Sequence, residues 1–280
     1  MIKKIADKRP ILFSVIVFIV NAIVAVLTMV LFTSLFGLDI ANLENTEFDF
    51  NTLTALTLSK VVLSAVLIII LVALKMKSEI KPFRKGIGKG LLLGWFFILF
   101  GILQFTYLYD FSNAGSVEPS KLLLLLPLAV YTLFIGVSEE FLCRGIFYNV
   151  IFNKYRNVHA AVLISSAVFG IMHLSNLLGG APLDETLLQV FYAFAFGVLF
   201  AAVYVRCKNI WAVVLLHAFF DFCSSAPEIL TPVVALEINS TDTNSLIVIA
   251  VVSVAAVCIG LFLIRKSKMA DISLTQENQA

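Results

Sequence analysis

The stretch LLLLLPLAVYTLFIGVSEEFLCRGIFY, residues 122–148, is long and apolar enough to cross a membrane, yet it holds Glu139, Glu140 and Arg144 within six residues. A charged side chain at mid-bilayer costs roughly 2.5–3.5 kcal/mol on insertion scales. Three of them in one short turn cost on the order of 10 kcal/mol before any pairing. Crossing a membrane requires none of them, so an intramembrane cluster of ionisable groups reads as a functional site.

The rest of the chain has the same character. Of its 280 residues 60% are hydrophobic and 14% charged, with mean hydropathy +1.01. A soluble domain carries about 25% charged residues, so no soluble domain is expected. Eight runs approach the roughly 20 apolar residues that a span needs: 11–36, 53–74, 91–109, 122–148, 160–178, 187–205, 210–223 and 246–264. They are too long and too uniformly apolar for barrel strands, and backbone groups in lipid must pair within their own segment. The fold class is therefore all-α, a polytopic transmembrane helical bundle of about eight spans. The first run lacks a small-residue cleavage site and is too long for a signal sequence, so it reads as a retained helix. Cys143, Cys207, Cys223 and Cys258 show no paired spacing, which argues against a disulfide scaffold or a thiolate zinc site. Cys207, at a basic helix end, reads as an unmodified thiol, with acylation as the alternative. Nothing points to nucleic acid.

The connecting segments alternate in charge. Lys3, Lys4, Lys8 and Arg9 precede the first run; Lys75, Lys77, Lys81, Arg84, Lys85 and Lys89 follow the second. Lys154 and Arg156 follow the fourth, Arg206 and Lys208 the sixth, and Arg265, Lys266 and Lys268 the eighth. The other loops hold Asp39, Glu44, Glu47, Asp49, Asp110, Glu118, Asp184, Glu185, Glu228, Glu237 and Asp242, with Lys121 as their one basic residue. The positive-inside rule then predicts that both termini are cytoplasmic. No internal repeat and no broken helix is evident, although Pro127 and Gly136 leave a kink open in the fourth run. Asn239-Ser240-Thr241 has the form of a glycosylation sequon and reads as a chance occurrence.

Three polar constellations stand out. Glu140 and Arg144, four apart, share a helix face and are expected to pair. Glu139 lies about 100° round from Glu140 and is expected to stay uncompensated, the condition in low dielectric for a general acid or base. His173 follows Phe169 by one turn, with Asn176 one turn further on. Gly170 and the small run Ser165-Ser166-Ala167 would let another helix approach closely. His217 and Asp221, again four apart, form a second ready pair, in which a carboxylate orients an imidazole. His159, beside Arg156, reads as a solvated boundary residue. Lys60, the remaining intramembrane charge, is expected to snorkel toward the outer interface, with a carboxylate partner as the alternative. Two chemistries remain open. Glu139, His173 and His217 could hold zinc, which activates water. Alternatively Glu139 and His173 activate water directly, while His217 and Asp221 stabilise the oxyanion. HExxH, the strong zinc-protease signature, is absent.

Glu139-Glu140-x-x-x-Arg144, then Phe169-x-x-x-His173, then His217-x-x-x-Asp221, in successive membrane segments, resemble the CAAX-protease and bacteriocin-processing family (CPBP, or Abi). Ser165-Ser166-Ala167-Val168 before Phe169, and Asn209-Ile210-Trp211 before His217, fit the same resemblance. It implies an intramembrane endopeptidase, a hydrolase that cleaves a membrane-anchored protein or peptide. It also implies Glu139 as catalytic base, Glu140 as its acidic neighbour, and Arg144, Phe169, His173, His217 and Asp221 as the remaining site residues. Asp221 stands where these proteases commonly have asparagine, which puts a neutral-amide oxyanion role there in doubt. Zinc and a metal-free glutamate mechanism are equally compatible with the resemblance. On this reading the chain divides into N-terminal membrane helices over 1–120, a CAAX-protease-like core over 121–226, an outer loop and last helix over 227–268, and a polar tail over 269–280. The lysine-rich inner loops suit a bacterial plasma membrane. Bacterial relatives are linked to bacteriocin self-immunity and peptide maturation. Two other classes stay open: an immunity protein that binds without cleaving, and a proton-coupled transporter using the carboxylates.

Overall fold

An apolar run in lipid has only its own backbone to bond with, and every long run of this chain resolves into helix. The structure, a computed structural model, describes residues 2–40, 43, 47–81, 85–109, 111, 117–230 and 243–265. Glu44, Arg84, Asp110, Glu237, Asp242, Lys266, Lys268, the sequon and the tail over 269–280 lie outside the described residues. Among the described residues there is no strand. The helices are α1 (Ile2–Lys8), α2 (Pro10–Leu35), α3 (Phe50–Ala73), α4 (Lys77–Ile80), α5 (Ile87–Leu93), α6 (Trp95–Leu108), α7 (Pro119–Glu140), α8 (Asn149–Tyr155), α9 (Val158–Met172), α10 (Leu183–Cys207), α11 (Ile210–Leu230) and α12 (Thr243–Leu263). A π-helical segment, Phe141–Tyr148, joins α7 to α8, and a 3₁₀ turn, His173–Gly179, follows α9.

Among the described residues seven helices are long and apolar enough to cross a membrane. The eighth span is the pair α5 and α6, bent by 60° at Gly94. The unbroken helix expected over 91–109 is thus corrected. The break falls at Gly94, where a Cβ would run into the Leu216 side chain, so glycine lets the chain pass close to α11 at the bend. The fourth span is longer than its apolar run, because α7, the π segment and α8 form one rod over Pro119–Tyr155. The short seventh run extends to Leu230, carrying Pro227 inside α11.

Close approach of small residues sets which helices meet. A Cβ on Gly136 of α7 would lie 2.8 Å from the Val214 carbonyl of α11. A Cβ on Gly170 of α9 would lie 2.7 Å from the Val190 carbonyl of α10, and one on Gly197 would lie 3.0 Å from Ser166 Cβ. The small residues around Phe169 do admit a neighbouring helix, as expected. α10 is the central helix, packed on α9 and α12, with Phe196 to Val205 buried throughout. α2 and α12 present Ile23, Leu27, Val251 and Val254 outward, where lipid belongs.

One end of the bundle is marked by three cations in the left-handed backbone region. Lys75 (φ 63°), Arg156 (φ 52°) and Lys208 (φ 52°) stop α3, α8 and α10 where glycine is the usual residue. Each position costs about 1–2 kcal/mol of backbone energy, offset in part by a positive charge at a helix C-terminus. His159 is exposed at this end, as expected. Cys207 is not: its thiol is buried and lies 3.3 Å from the Asn209 carbonyl, which leaves no surface for acylation.

Candidate active site

Gly136 brings α7 against α11 one turn before Glu139 and Glu140, and this places both carboxylates opposite His217. Arg144 Nη1 donates to Glu140 Oε1 at 2.9 Å, the pair expected from a spacing of four. Its Nη2 donates to the Gly197 carbonyl of α10 at 2.8 Å. The guanidinium lies over the Phe169 ring, 4.7 Å from its centroid, and both Arg144 and Glu140 are fully buried. Arg144 therefore ties α7, α9 and α10 together around one buried charge pair.

His217 is clamped on both nitrogens. Nδ1 lies 3.0 Å from Glu140 Oε1, and Nε2 lies 3.3 Å from Asp221 Oδ2 and 3.9 Å from Glu139 Oε2. Acceptors on both sides suit a ring that donates from both. Its faces are also held: Phe200 stacks on it at 5.2 Å and Phe169 meets it edge-on at 5.5 Å. Phe169 is the hub, since it also packs against His173 at 5.3 Å. His173 Nδ1 donates to the Phe169 carbonyl at 2.8 Å. His173 is within electrostatic range of Glu139. Asn176 plays no part with His173; it donates to Gln189 Oε1 at 2.7 Å.

Glu139 differs from expectation. Lys60 Nζ of α3 lies 3.2 Å from its Oε1, so the carboxylate is compensated from another helix. Lys60 does not snorkel. It sits in the body of α3, where a carboxylate at contact distance offsets its burial more directly than an extended reach to the interface. Among the described residues Glu139 Oε2 accepts no hydrogen bond, and neither does Glu140 Oε2. Glu139 thus has one oxygen held by a cation and one left to take a proton.

The donor set does not fit a metal. Among the described residues no three His, Cys, Asp or Glu side chains have a metal-ligating arrangement. Lys60 faces Glu139 Oε1, and both His217 nitrogens face carboxylates. The zinc set Glu139, His173 and His217 is therefore not assembled, and no step is derived through a metal.

Sequence reasoning assigned Lys60 no role, with the carboxylate partner only as the alternative, and left out Phe200, the Gly197 carbonyl and Asn149. The last donates to the Arg144 and Gly145 carbonyls, each at 3.0 Å, and to Tyr204 Oη at 2.8 Å. It thereby adds a side-chain donor to two carbonyls of the π segment, and π turns recur at functional sites. The one usable signal was that Lys60 is an intramembrane charge outside the three motifs; the others carry none.

With this geometry in view, the comparisons with known proteins are informative. Residues 119–223 match the family model described as Type II CAAX prenyl endopeptidase Rce1-like. It is the CAAX-protease family that the three motifs resemble, and the matched segment contains all seven motif residues but not Lys60. No curated protein and no solved structure matches the chain. The chain is a multi-pass membrane protein whose core segment is similar to CAAX-type endopeptidases.

Proposed function

We propose that this protein is an intramembrane endopeptidase that hydrolyses a peptide bond in a membrane-anchored protein or peptide. One observation carries the reading: Glu139, with a free Oε2, lies within 3.9 Å of a His217 ring that Glu140 and Asp221 hold from either side. Glu139 Oε2 takes a proton from water, which His173 Nε2 helps to orient. The hydroxide oxygen attacks the carbonyl carbon and the carbonyl electron pair moves onto oxygen. Collapse of the tetrahedral species expels the amine, which leaves with the proton held by Glu139. Glu140, Arg144 and Phe169 keep the carboxylates and imidazoles in place, and residues 121–226 form the catalytic core.

The basic caps Lys75, Arg156 and Lys208 support a cytoplasmic placement of that end. The substrate then enters from the cytoplasmic side and laterally from lipid, and both termini are cytoplasmic. The setting is a bacterial plasma membrane, in a role such as bacteriocin self-immunity or peptide maturation. A transporter reading draws on the bend between α5 and α6. Reconstitution in liposomes separates the two: cleavage of a lipid-anchored CAAX-type reporter peptide supports the protease, and proton-coupled uptake without cleavage supports the transporter. Glu139→Gln is expected to abolish cleavage while the folded protein still accumulates in the membrane. Full cleavage by Glu139→Gln would falsify the assignment of the base.

A further inference from the structure

The reaction proposed above creates an oxyanion, and the site is crowded with negative charge. Glu139, Glu140 and Asp221 all face His217. An oxyanion forming there is stabilised by a preorganised donor aimed at the reacting carbonyl and reachable by substrate. Arg144 is fully buried, with its two terminal nitrogens on Glu140 and the Gly197 carbonyl. Both nitrogens of His217 are engaged by carboxylates. His173 Nδ1 is spent on the Phe169 carbonyl. Lys60 is a cation of the site with N–H groups to spare. Its ammonium has three N–H groups, of which the Glu139 contact uses one, and its side chain is 27% exposed. Asp221, 23% exposed, also lies within its electrostatic range.

We infer that Lys60 is a catalytic residue of this enzyme: a donor from α3, outside the family-matched segment, that stabilises the tetrahedral oxyanion while holding Glu139 in position. The inference rests on the hydrolytic reading of the site. In the step concerned, Glu139 accepts the water proton, the water oxygen bonds to carbon, and the carbonyl π pair becomes the oxyanion lone pair facing the Lys60 ammonium. Lys60 neither gains nor loses a proton. When the C–N bond breaks, that pair re-forms the carbonyl and the amine takes the proton from Glu139. α3 is thereby part of the active site.

The test uses the full chain in liposomes with the lipid-anchored CAAX-type reporter. Mass spectrometry of the products locates the cleaved bond, and a phosphinic analogue replaces that amide with a tetrahedral anion. Lys60→Met is expected to lower kcat by about 10²–10³-fold with little change in KM, the usual cost of one oxyanion donor, and Lys60→Arg to recover part of it. Because Lys60→Met leaves Glu139 without its cation and could unfold the protein, binding is also measured in the Glu139→Gln background, where Lys60→Met strands no carboxylate. There, adding Lys60→Met should weaken the phosphinic analogue by about the same 10²–10³-fold and leave the uncleaved peptide's affinity unchanged. Equal losses for both ligands mean a structural role, and unchanged analogue affinity means no role; either result overturns the inference. Cleavage by Glu139→Gln overturns the assignment of the base, and proton-coupled uptake without cleavage by the wild-type protein refutes the hydrolytic reading instead.

Discussion

Arg144 and Lys60 are both cations beside a carboxylate, yet their surroundings separate their roles. Arg144 is enclosed on every side, so its contribution is positional. Removing one partner of a buried ion pair costs roughly 3–5 kcal/mol, because the other charge is left uncompensated. Arg144→Ala leaves the buried Glu140 with His217 alone and also deprives the Gly197 carbonyl of its donor. It is expected to lower the thermal unfolding midpoint in detergent sharply, along with the amount of protein in the membrane. A variant that accumulates and melts like the wild type would show that the pair contributes nothing to folding. Lys60 has room to touch a substrate, so its loss is expected to appear in kcat before it appears in stability. Phe169 deserves its place among the motif residues for a physical reason: one ring meets a guanidinium and two imidazoles. Such contacts combine apolar burial with attraction to positive charge on the ring face.

Among the elements, the contact of α7 with α11 decides whether the carboxylates reach His217. Gly136 makes it possible, since a Cβ there would press on the Val214 carbonyl at 2.8 Å, a backbone atom that cannot swing away. Gly136→Val is expected to push α7 off α11 and to cut cleavage by more than tenfold, with Glu139 and His217 both intact. A further shift of 1 Å in a catalytic group can cost about 10²-fold, so tenfold is a low bar. Reporter cleavage together with the unfolding midpoint checks this; unchanged cleavage would mean that the two helices are not in close register. The π segment is the other element with a role. Its wider turn carries Arg144, and Asn149 covers the carbonyls at its end.

At the scale of the whole molecule, the question is which end of the bundle faces the cytoplasm. His217 lies seven residues past Ile210 at the start of α11, about 10 Å along a helix. The site is therefore nearer the end capped by Lys208 than the far one. In a background lacking Cys143, Cys207, Cys223 and Cys258, a cysteine at Asn153 is expected to react with an impermeant thiol reagent only from the cytoplasmic side. A cysteine at Leu183, exposed at the opposite end, should react only from outside. Asp221→Cys, at a partly exposed position in the site, should follow Asn153. Labelling at Asp221 from the outside alone would reverse the proposed route of substrate entry.

Hydrophobic run length and charge spacing are local properties, and what depends on them was legible in the sequence. The spans, the all-helical bundle, the pairing of Glu140 with Arg144 and of His217 with Asp221, and the meeting of the three motifs in one polar site all follow from periods of 3.6 residues and the cost of charge in lipid. What relates distant parts of the chain was not legible. The 60° bend falls at Gly94, where Leu216 packs too close for a Cβ, a contact between helices more than a hundred residues apart in sequence. The engagement of Lys60 with Glu139 rather than with the membrane interface depends on α3 packing against α7. No sequence period links positions 60 and 139; only the packed bundle brings a cation from outside the motifs to the Glu139 carboxylate.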